Sequence, residues 1–294
     1  MATSAADPRP ARDADDVTAI LPLRRYHPRH LAAALDSLFA QTDPAWRLVV
    51  VVEPEDVERF RAVLAPRLSD ARVRLVPNDG GRYPGAFNTG MRRAETAFVA
   101  IILGDDMWAP TAVETLRREI RAHPDVDFFH TGRQVVDGDG RPIGTPFKPR
   151  QVVRPEHFVW GTAVKHLLCW RRRLGLDVGG VDERLRTAGP DDYDFPWTMA
   201  ERGATFRAID ETLYIYRDHR DAFRQTTHLP RSVHLADLRY ILDKHGVPPA
   251  DRRERLRRAK RGFLKQCLYR NAAHRWLLTV LRHDPQRGWR QPYR

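Results

Sequence analysis

Apolar positions in the first hundred residues follow two periods in turn, and this alternation predicts the fold. Short continuous apolar runs have the length and β-branched content of strands that are buried on both faces of a sheet. Between these runs, apolar side chains recur at helical spacing. The β-α-β-α order predicts an α/β fold, with a mostly parallel sheet and helices on both of its faces. The predicted strands are 17–23, 47–52, 72–76 and 97–103, and the predicted helices are 28–41, 55–68 and 86–94.

Polar and acidic residues follow the predicted strands at the points where each strand ends. Leu23 and Arg24 come after the first strand, Glu53 after the second, and Asp105 and Asp106 after the fourth. In open parallel sheets, ligands bind beyond the carboxyl ends of the strands. We therefore expect the binding site at this edge of the sheet.

Length and composition indicate one large globular domain with an extension. The chain has 294 residues, of which 42% are hydrophobic, enough to fill a core. Its two cysteines have no C-x-x-C spacing, which argues against a zinc site or a redox pair and fits a reducing cytoplasm. Residues 1–15 contain no apolar stretch of the secretory type, so we interpret them as a disordered lead-in.

Nearly all of the excess positive charge lies at the C-terminal end. The net charge is +12, and residues 246–294 hold 14 Lys or Arg against 3 Asp or Glu. We predict a basic helical extension there, with an apolar face. Three roles are open to it: a cap packed on the catalytic domain, an amphipathic helix on an anionic membrane surface, or a contact with an acidic polymer such as nucleic acid. The apolar face comprises Leu256, Ala259, Phe263, Cys267 and Leu268.

The strongest chemical signal is the pair Asp105 and Asp106 at the end of a buried strand. Adjacent carboxylates repel each other and are costly to desolvate unless a cation or hydrogen-bond donors compensate them. A hard divalent ion that also binds diphosphate oxygens suits this position. The structural alternative is that Asp106 caps a helix that begins near Pro110.

Five stretches in the same order resemble the GT-A fold glycosyltransferases of family 2. IILGDDMWAP is similar to their metal-binding strand end, and VTAILPL is similar to their first strand. The other three are LAAALDSLFAQTDPAWRLVVV, NDGGRYPGAFNTGMRRAETAFVAIIL and VGGVDERLRTAGPDDYDFPWTMAERG. The similarity covers roughly residues 17 to 220 and implies a GT-A fold followed by the C-terminal helical extension.

The resemblance implies a donor site and a divalent metal, Mg or Mn. Where the family usually has two Asp after the second strand this chain has Val52 and Glu53, and where it has a further Asp before the metal motif this chain has Leu103. Asp106 and His219 are implied as metal ligands. The implied donor-binding residues are Pro22, Leu23, Arg24, Glu53, Arg82, Asp105 and Arg217.

On the acceptor side, the resemblance implies a carboxylate base. Asp192 is the first choice and Asp191 the second. Such a base removes the acceptor hydroxyl proton as that oxygen attacks the anomeric carbon, with inversion. The structural alternative is that both side chains cap a predicted helix at 192–202.

The implied function is transfer of a sugar from a UDP-, dTDP- or GDP-sugar to a saccharide, a lipid-linked or a small-molecule acceptor. Residues 16–245 would form the catalytic domain, with 16–110 binding the nucleotide sugar and 111–245 the acceptor, and 246–294 the extension. We expect a cytoplasmic protein, peripheral at the inner face of the membrane if the extension docks there.

Two other functions remain as alternatives. A sugar-nucleotide-forming nucleotidyltransferase shares a similar sheet, but it is expected to have a Gly-rich loop after the first strand, where this chain has none. A non-enzymatic nucleic-acid-binding module would use the basic tail, but the body is near neutral and has no recognised nucleic-acid motif, so we expect no nucleic acid as partner.

Overall fold

The computed structural model describes residues 16–186, 189–219 and 230–270, with side chains to residue 262. The predicted lead-in at 1–15 and the end of the predicted extension, 271–294, lie outside this part of the chain. The same holds for the side chains of Phe263, Cys267 and Leu268 in the predicted apolar face.

Eight strands form one sheet in the order β3-β2-β1-β4-β7-β6-β8-β5. The four strands at one side of this order, β3, β2, β1 and β4, are all parallel to one another. Of the seven pairings between the described strands, four are parallel. The predicted α/β class and mostly parallel sheet are therefore confirmed. The strands are β1 Val17–Pro22, β2 Trp46–Val52, β3 Val73–Pro77, β4 Phe98–Ile101, β5 Met107–Trp108, β6 Phe128–Val136, β7 Leu168–Arg171 and β8 Phe206–Arg217.

Most strands are followed by a helix. Two short helical turns each directly precede an α-helix. The turns are a 3-10 turn at Pro54–Asp56 and a single π-helical turn at Pro190–Asp194. The α-helices are α1 Pro28–Phe39, α2 Val57–Leu68, α3 Arg82–Arg93, α4 Ala112–Ala122, α5 Pro155–Phe158, α6 Arg172–Asp177, α7 Phe195–Glu201, α8 Arg231–Lys244 and α9 Pro249–Arg270.

The parallel strands are apolar throughout because both faces of the sheet are covered. In β2, Leu48 and Val50 point to a core with α1, α2 and α4, whereas Val49 and Val51 point to a core with α3, α7 and α8. Side chains that alternate along a strand thus enter different cores. This two-sided burial fixes the register in which β1 lies between β2 and β4.

The two C-terminal helices pack on the same side of the sheet. Leu238 and Ile241 of α8 are buried in the second core, and Leu256 and Ala259 of α9 are partly buried against it. These contacts support the cap interpretation for the first turns of α9. Among the described helices, none combines the length and the apolar character that a membrane span requires.

Gly90 marks the closest approach of α3 to the sheet, and this contact is testable. A Cβ at position 90 would lie 2.4 Å from the Ile20 Cγ2 atom of β1. We expect Gly90→Ala to lower the free energy of unfolding by about 1–3 kcal/mol, as overpacking of a core does. Urea unfolding followed by circular dichroism measures the change.

Gly262 in α9 provides the matched control. A Cβ there would meet no atom within 4 Å. Gly262→Ala should raise the stability of the helix by up to about 1 kcal/mol, because alanine is the better helix former. Equal effects of the two substitutions would contradict the packing of α3 on β1.

Candidate active site

Asp106 is buried just beyond the end of β4 and is held by β8. Its side chain accepts a hydrogen bond from the Tyr214 hydroxyl at 2.7 Å and another from the Arg217 backbone N–H at 2.8 Å. Burial, together with the neighbouring Asp105 carboxylate, raises the pKa of Asp106 to about 7. The alternative in which Asp106 caps a helix is wrong, because α4 begins only at Ala112 and no side chain caps it.

Asp105 faces outward from the same turn and meets His219. Its Oδ2 atom lies 3.0 Å from His219 Nε2. The Asp105 side chain is 30% exposed, whereas that of His219 is 3% exposed. The two adjacent carboxylates therefore lie in different surroundings: Asp106 points into the protein and Asp105 toward the surface.

Arg217 is almost completely buried and its guanidinium group binds backbone carbonyls. Nε donates to the Asp105 carbonyl at 2.9 Å, and Nη1 donates to the Gly138 carbonyl at 3.0 Å. His30 Nε2 lies 3.2 Å from the same Gly138 oxygen. These contacts hold Arg217, a predicted donor-binding residue, between the acidic turn and the turn after β6.

The other predicted donor residues lie at the same edge of the sheet. Pro22 and Leu23 are buried, and the Leu23 N–H donates to Val51 O at 2.8 Å, which extends β1 along β2. Arg24 is exposed. Glu53 is half-buried and accepts a hydrogen bond from the Asn78 side chain at 3.3 Å. The first two strand ends thus form a continuous rim beside the acidic turn.

The glycine-rich loop before α3 is fixed by a carboxylate from the second half of the chain. Glu183 accepts hydrogen bonds from the Gly81 N–H at 2.6 Å and from Asn88 Nδ2 at 2.8 Å. Arg82, a predicted donor residue, is exposed and adopts a left-handed backbone with φ of 57°. Non-glycine residues in this region are uncommon and cluster at functional sites.

Asp191 and Asp192 lie in the π-helical turn that precedes α7. Neither caps a helix, so the capping alternative is wrong, and the predicted helix at 192–202 is instead a π turn followed by Phe195–Glu201. Asp191 is buried, and its Oδ2 lies 3.4 Å from His166 Nε2. Asp192 is half-buried, and burial followed by repulsion from Asp191 raises its pKa.

Tyr214, His166 and Tyr83 link the pair Asp105 and Asp106 to the pair Asp191 and Asp192. The His166 ring lies 5.2 Å from the ring of Tyr214, so that Tyr214 binds Asp106 on one side and His166 faces Asp191 on the other. Burial raises the pKa of Tyr83 well above its usual range, and all four carboxylates add to this effect. The structure therefore brings the two acidic pairs, which are 85 positions apart in the sequence, around one region.

The sequence reasoning missed Tyr83, His166 and Glu183. Tyr83 stands in the glycine-rich segment, whose sequence gives it no distinct role. His166 and Glu183 act through contacts with residues far away in the sequence. Tyr214 lies in the same short segment as Arg217 and His219, and this nearness in the sequence was the one available signal for it.

The turn that carries Asp192 is anchored to the end of α8. Asp194 is buried, and its two oxygens lie 2.7 Å from Lys244 Nζ and 3.1 Å from His245 Nε2. The His245 ring stacks on Trp197 with 4.1 Å between centroids. A buried carboxylate needs such partners to offset its desolvation.

With this geometry established, comparison with known families places the chain. Residues 18–169, more than half of its length, match the family described as Glycosyl transferase family 2. The chain belongs to this family. The resemblance predicted from the sequence is thereby confirmed, and the matched range of this glycosyl transferase family 2 chain ends inside β7.

Two solved structures share the fold of this family 2 chain. Staphylococcus aureus TarS 1–349 in complex with UDP-GlcNAc has a TM-score of 0.60 at 18% identity, over 82% of this chain and 70% of TarS. The mannosyltransferase PcManGT of Pyrobaculum calidifontis, in complex with GDP-Man and Mn²⁺, has a TM-score of 0.56 at 18% identity, over 96% of this chain and 87% of its own. The predicted GT-A fold is confirmed.

A curated relative is similar in sequence over a shorter range. The Escherichia coli enzyme named UDP-Glc:alpha-D-GlcNAc-diphosphoundecaprenol beta-1,3-glucosyltransferase WfgD is 24% identical over 128 residues, which is 42% of this chain and 49% of WfgD. Three curated relatives match the family 2 chain, which spans 22%, 64% and 49% of their respective lengths; the last of the three is WfgD.

The anchor of the acidic turn is testable through Lys244. Lys244→Met leaves the buried Asp194 carboxylate with one partner fewer, and we expect a loss of about 3 kcal/mol in the free energy of unfolding. Chemical denaturation at pH 7 measures this loss. The exposed Lys260 of α9 is the matched control, and Lys260→Met should change stability by less than about 0.5 kcal/mol.

A double variant separates lost pairing from general damage. In Asp194→Asn/Lys244→Met both charges are gone, so part of the lost stability should return. If the double variant is as unstable as the sum of the single variants, the two side chains do not act as a pair.

Proposed function

We propose that this chain is an inverting glycosyltransferase that transfers a sugar from a nucleoside-diphosphate sugar to an acceptor hydroxyl, with a divalent cation on the donor side and Asp192 as the base. One observation carries this: a donor-side carboxylate pair and an acceptor-side carboxylate pair surround one region, joined through Tyr214 and His166. Membership of glycosyl transferase family 2 and the donor complexes of TarS and PcManGT support it.

The donor-side residues fit a hard divalent ion. Asp105 Oδ2 and His219 Nε2 are 3.0 Å apart, and adjacent ligands of an octahedral ion with bonds of about 2.1 Å have about that separation. No group of three or more candidate ligands occurs within the described residues, so the remaining positions would belong to diphosphate oxygens and water. Such sharing is typical of Mg²⁺ or Mn²⁺ in phosphate sites.

Asp105 suits the role of ligand better than Asp106, the residue expected from the sequence. The two oxygens of Asp106 already accept hydrogen bonds from β8, and its side chain is buried. We therefore assign Asp105 and His219 to the cation and Asp106 to holding the turn. When bound, the cation would neutralise the charge that develops on the leaving diphosphate.

Asp192 is the base because it is the more accessible member of its pair. Asp191 is buried and faces His166, whereas Asp192 is half-buried and its basicity is increased by burial and by Asp191. In the step, the acceptor oxygen bonds to the anomeric carbon, the bond from that carbon to the diphosphate breaks, and the proton moves to a carboxylate oxygen of Asp192. Asp191 and His166 keep the turn in place.

Two solved structures and one curated relative indicate the classes of donor and acceptor. TarS and PcManGT bind a UDP-sugar and a GDP-sugar respectively, and Glu53 with Arg24 at the strand ends would contact the base and ribose. The WfgD acceptor is a lipid-linked sugar, which supports a lipid-linked acceptor here. A peripheral position at the membrane would follow if the basic end of α9 contacts anionic lipid.

A screen of nucleoside-diphosphate sugars tests the proposed donor site. With Mn²⁺ present, one of the UDP-, dTDP- or GDP-sugars should raise the melting temperature by several degrees, because a ligand that binds only the folded state stabilises it. Asp105→Asn should remove most of the Mn²⁺-dependent part of this shift. Differential scanning fluorimetry with and without Mn²⁺ provides the measurement.

Asp177 on the exposed end of α6 supplies the control for this screen. Its side chain is 64% exposed, so Asp177→Asn should keep the full Mn²⁺-dependent shift. If no nucleotide sugar stabilises the unmodified protein at any Mn²⁺ concentration, the proposed function is wrong.

The base is tested by Asp192→Asn. Loss of general-base catalysis should lower kcat by about 10² to 10⁴ while the affinity for the donor stays the same. Because the pKa of Asp192 is raised, the unmodified protein should lose kcat as the pH falls through a value above the ordinary aspartate range of about 4. A pH profile of kcat under donor saturation shows this acid limb.

Asp191→Asn provides the comparison within the turn. It removes the carboxylate that raises the basicity of Asp192, so the acid limb should move to lower pH while measurable turnover remains. A larger loss of kcat in Asp191→Asn than in Asp192→Asn would assign the base to Asp191 instead.

A further inference from the structure

Lys165 and Arg133 lie near enough to Asp192 for their charges to oppose the rise of its pKa, and Arg150 acts on Lys165. Arg133 belongs to β6 and lies opposite Tyr214 in β8. Phe147 exchanges two backbone hydrogen bonds with Arg133, of 3.0 and 2.8 Å, and thereby brings the segment that contains Arg150 alongside. Lys165 directly precedes His166, the residue that faces Asp191. Two segments thus place cations near the acidic turn, and a third brings the exposed Arg150 near Lys165.

These cations have no carboxylate partner of their own within the described part of the chain. Arg133, Arg150 and Lys165 form no ion pair and no side-chain hydrogen bond there; Arg133 and Lys165 are half-buried, and Arg150 is exposed. The Nε atom of Arg133 is buried without a hydrogen-bond partner. The Arg133 guanidinium lies over the Tyr216 ring at 4.8 Å, which holds it in position.

The electrostatics of the cluster favour an anion. Burial and repulsion from Arg133 lower the pKa of Lys165 to about 8, and Arg150 adds to the repulsion, while Asp192 alone opposes it. Three like charges gathered around one carboxylate repel each other and destabilise an empty site. Guanidinium and ammonium groups together bind phosphoryl oxygens well, because the planar guanidinium donates two parallel hydrogen bonds.

We infer that the acceptor carries a phosphoryl group, and that Arg133, Arg150 and Lys165 bind this group while its hydroxyl faces Asp192. This deepens the proposed function and rests on it. The donor diphosphate would lie on the other side, at Asp105 and His219. The cluster would therefore select the acceptor without taking part in donor binding.

Calorimetry with three matched probes tests this acceptor site. The unmodified protein is first saturated with Mn²⁺ and with the nucleoside diphosphate of the best donor from the screen, and is then titrated with glycerol, glycerate or glycerol 3-phosphate. We expect glycerol 3-phosphate to bind at least tenfold more tightly than the other two. Lys165→Gln and Arg150→Gln should each weaken its binding by about tenfold, with the affinity for the nucleoside diphosphate unchanged.

Lys260→Gln on exposed α9 is the charge-matched control and should leave every affinity unchanged. Equal binding of glycerol and glycerol 3-phosphate, or tighter binding of glycerate, would overturn the inference while donor binding stays intact. Weaker binding of the nucleoside diphosphate in Lys165→Gln would also overturn it and would assign the cluster to the donor. Absence of any nucleotide binding would instead contradict the proposed function itself.

Discussion

The buried carboxylate of Asp106 is the interaction on which the site depends. Taking a charged group out of water is costly unless hydrogen bonds replace the lost hydration, and here a tyrosine hydroxyl and a backbone N–H from β8 do so. The bonds connect the end of the parallel half of the sheet to its last long strand. Arg217 ends this strand and His219 follows two residues later, so this contact helps to position both side chains.

The site separates its charges in space. The charges of four carboxylates raise the pKa of Tyr83, whereas those of Arg133 and Arg150 lower the pKa of Lys165. In the proposed reaction, the acidic centre alone would repel a diphosphate, so a divalent ion at Asp105 is what makes donor binding favourable. The basic flank needs no such ion, because it attracts an anion directly.

Local sequence patterns predicted the first half of the fold well. Buried parallel strands are apolar on both faces, and their periodicity separates them from helices; the strand at 47–52 is an example. The start of α3 was missed by four residues, because Pro84 and Gly85 indicate a loop. Proline is tolerated in a first helical turn, and Gly85 lies so close to Gly80 that a Cβ would come within 2.5 Å of the Gly80 carbonyl carbon.

The candidate site was predicted only as far as its residues resemble a family motif. Asp105, Asp106, Asp191 and Asp192 were recognised in this way. Their partners were not, because Tyr83 and His166 gain their importance from contacts that only the folded chain makes. The exchange of roles that we propose between Asp105 and Asp106 has the same origin, since neighbouring residues in a turn can point in opposite directions.

The hydrogen bonds of Glu183 limit how this chain can be altered. Its carboxylate belongs to the segment before the acidic turn, but it holds the glycine-rich loop and α3 of the nucleotide-side half through Gly81 and Asn88. The two halves are therefore not interchangeable modules. A chimera that exchanges the second half for that of another family member must bring a carboxylate to the same place, or the first half loses the support of its loop.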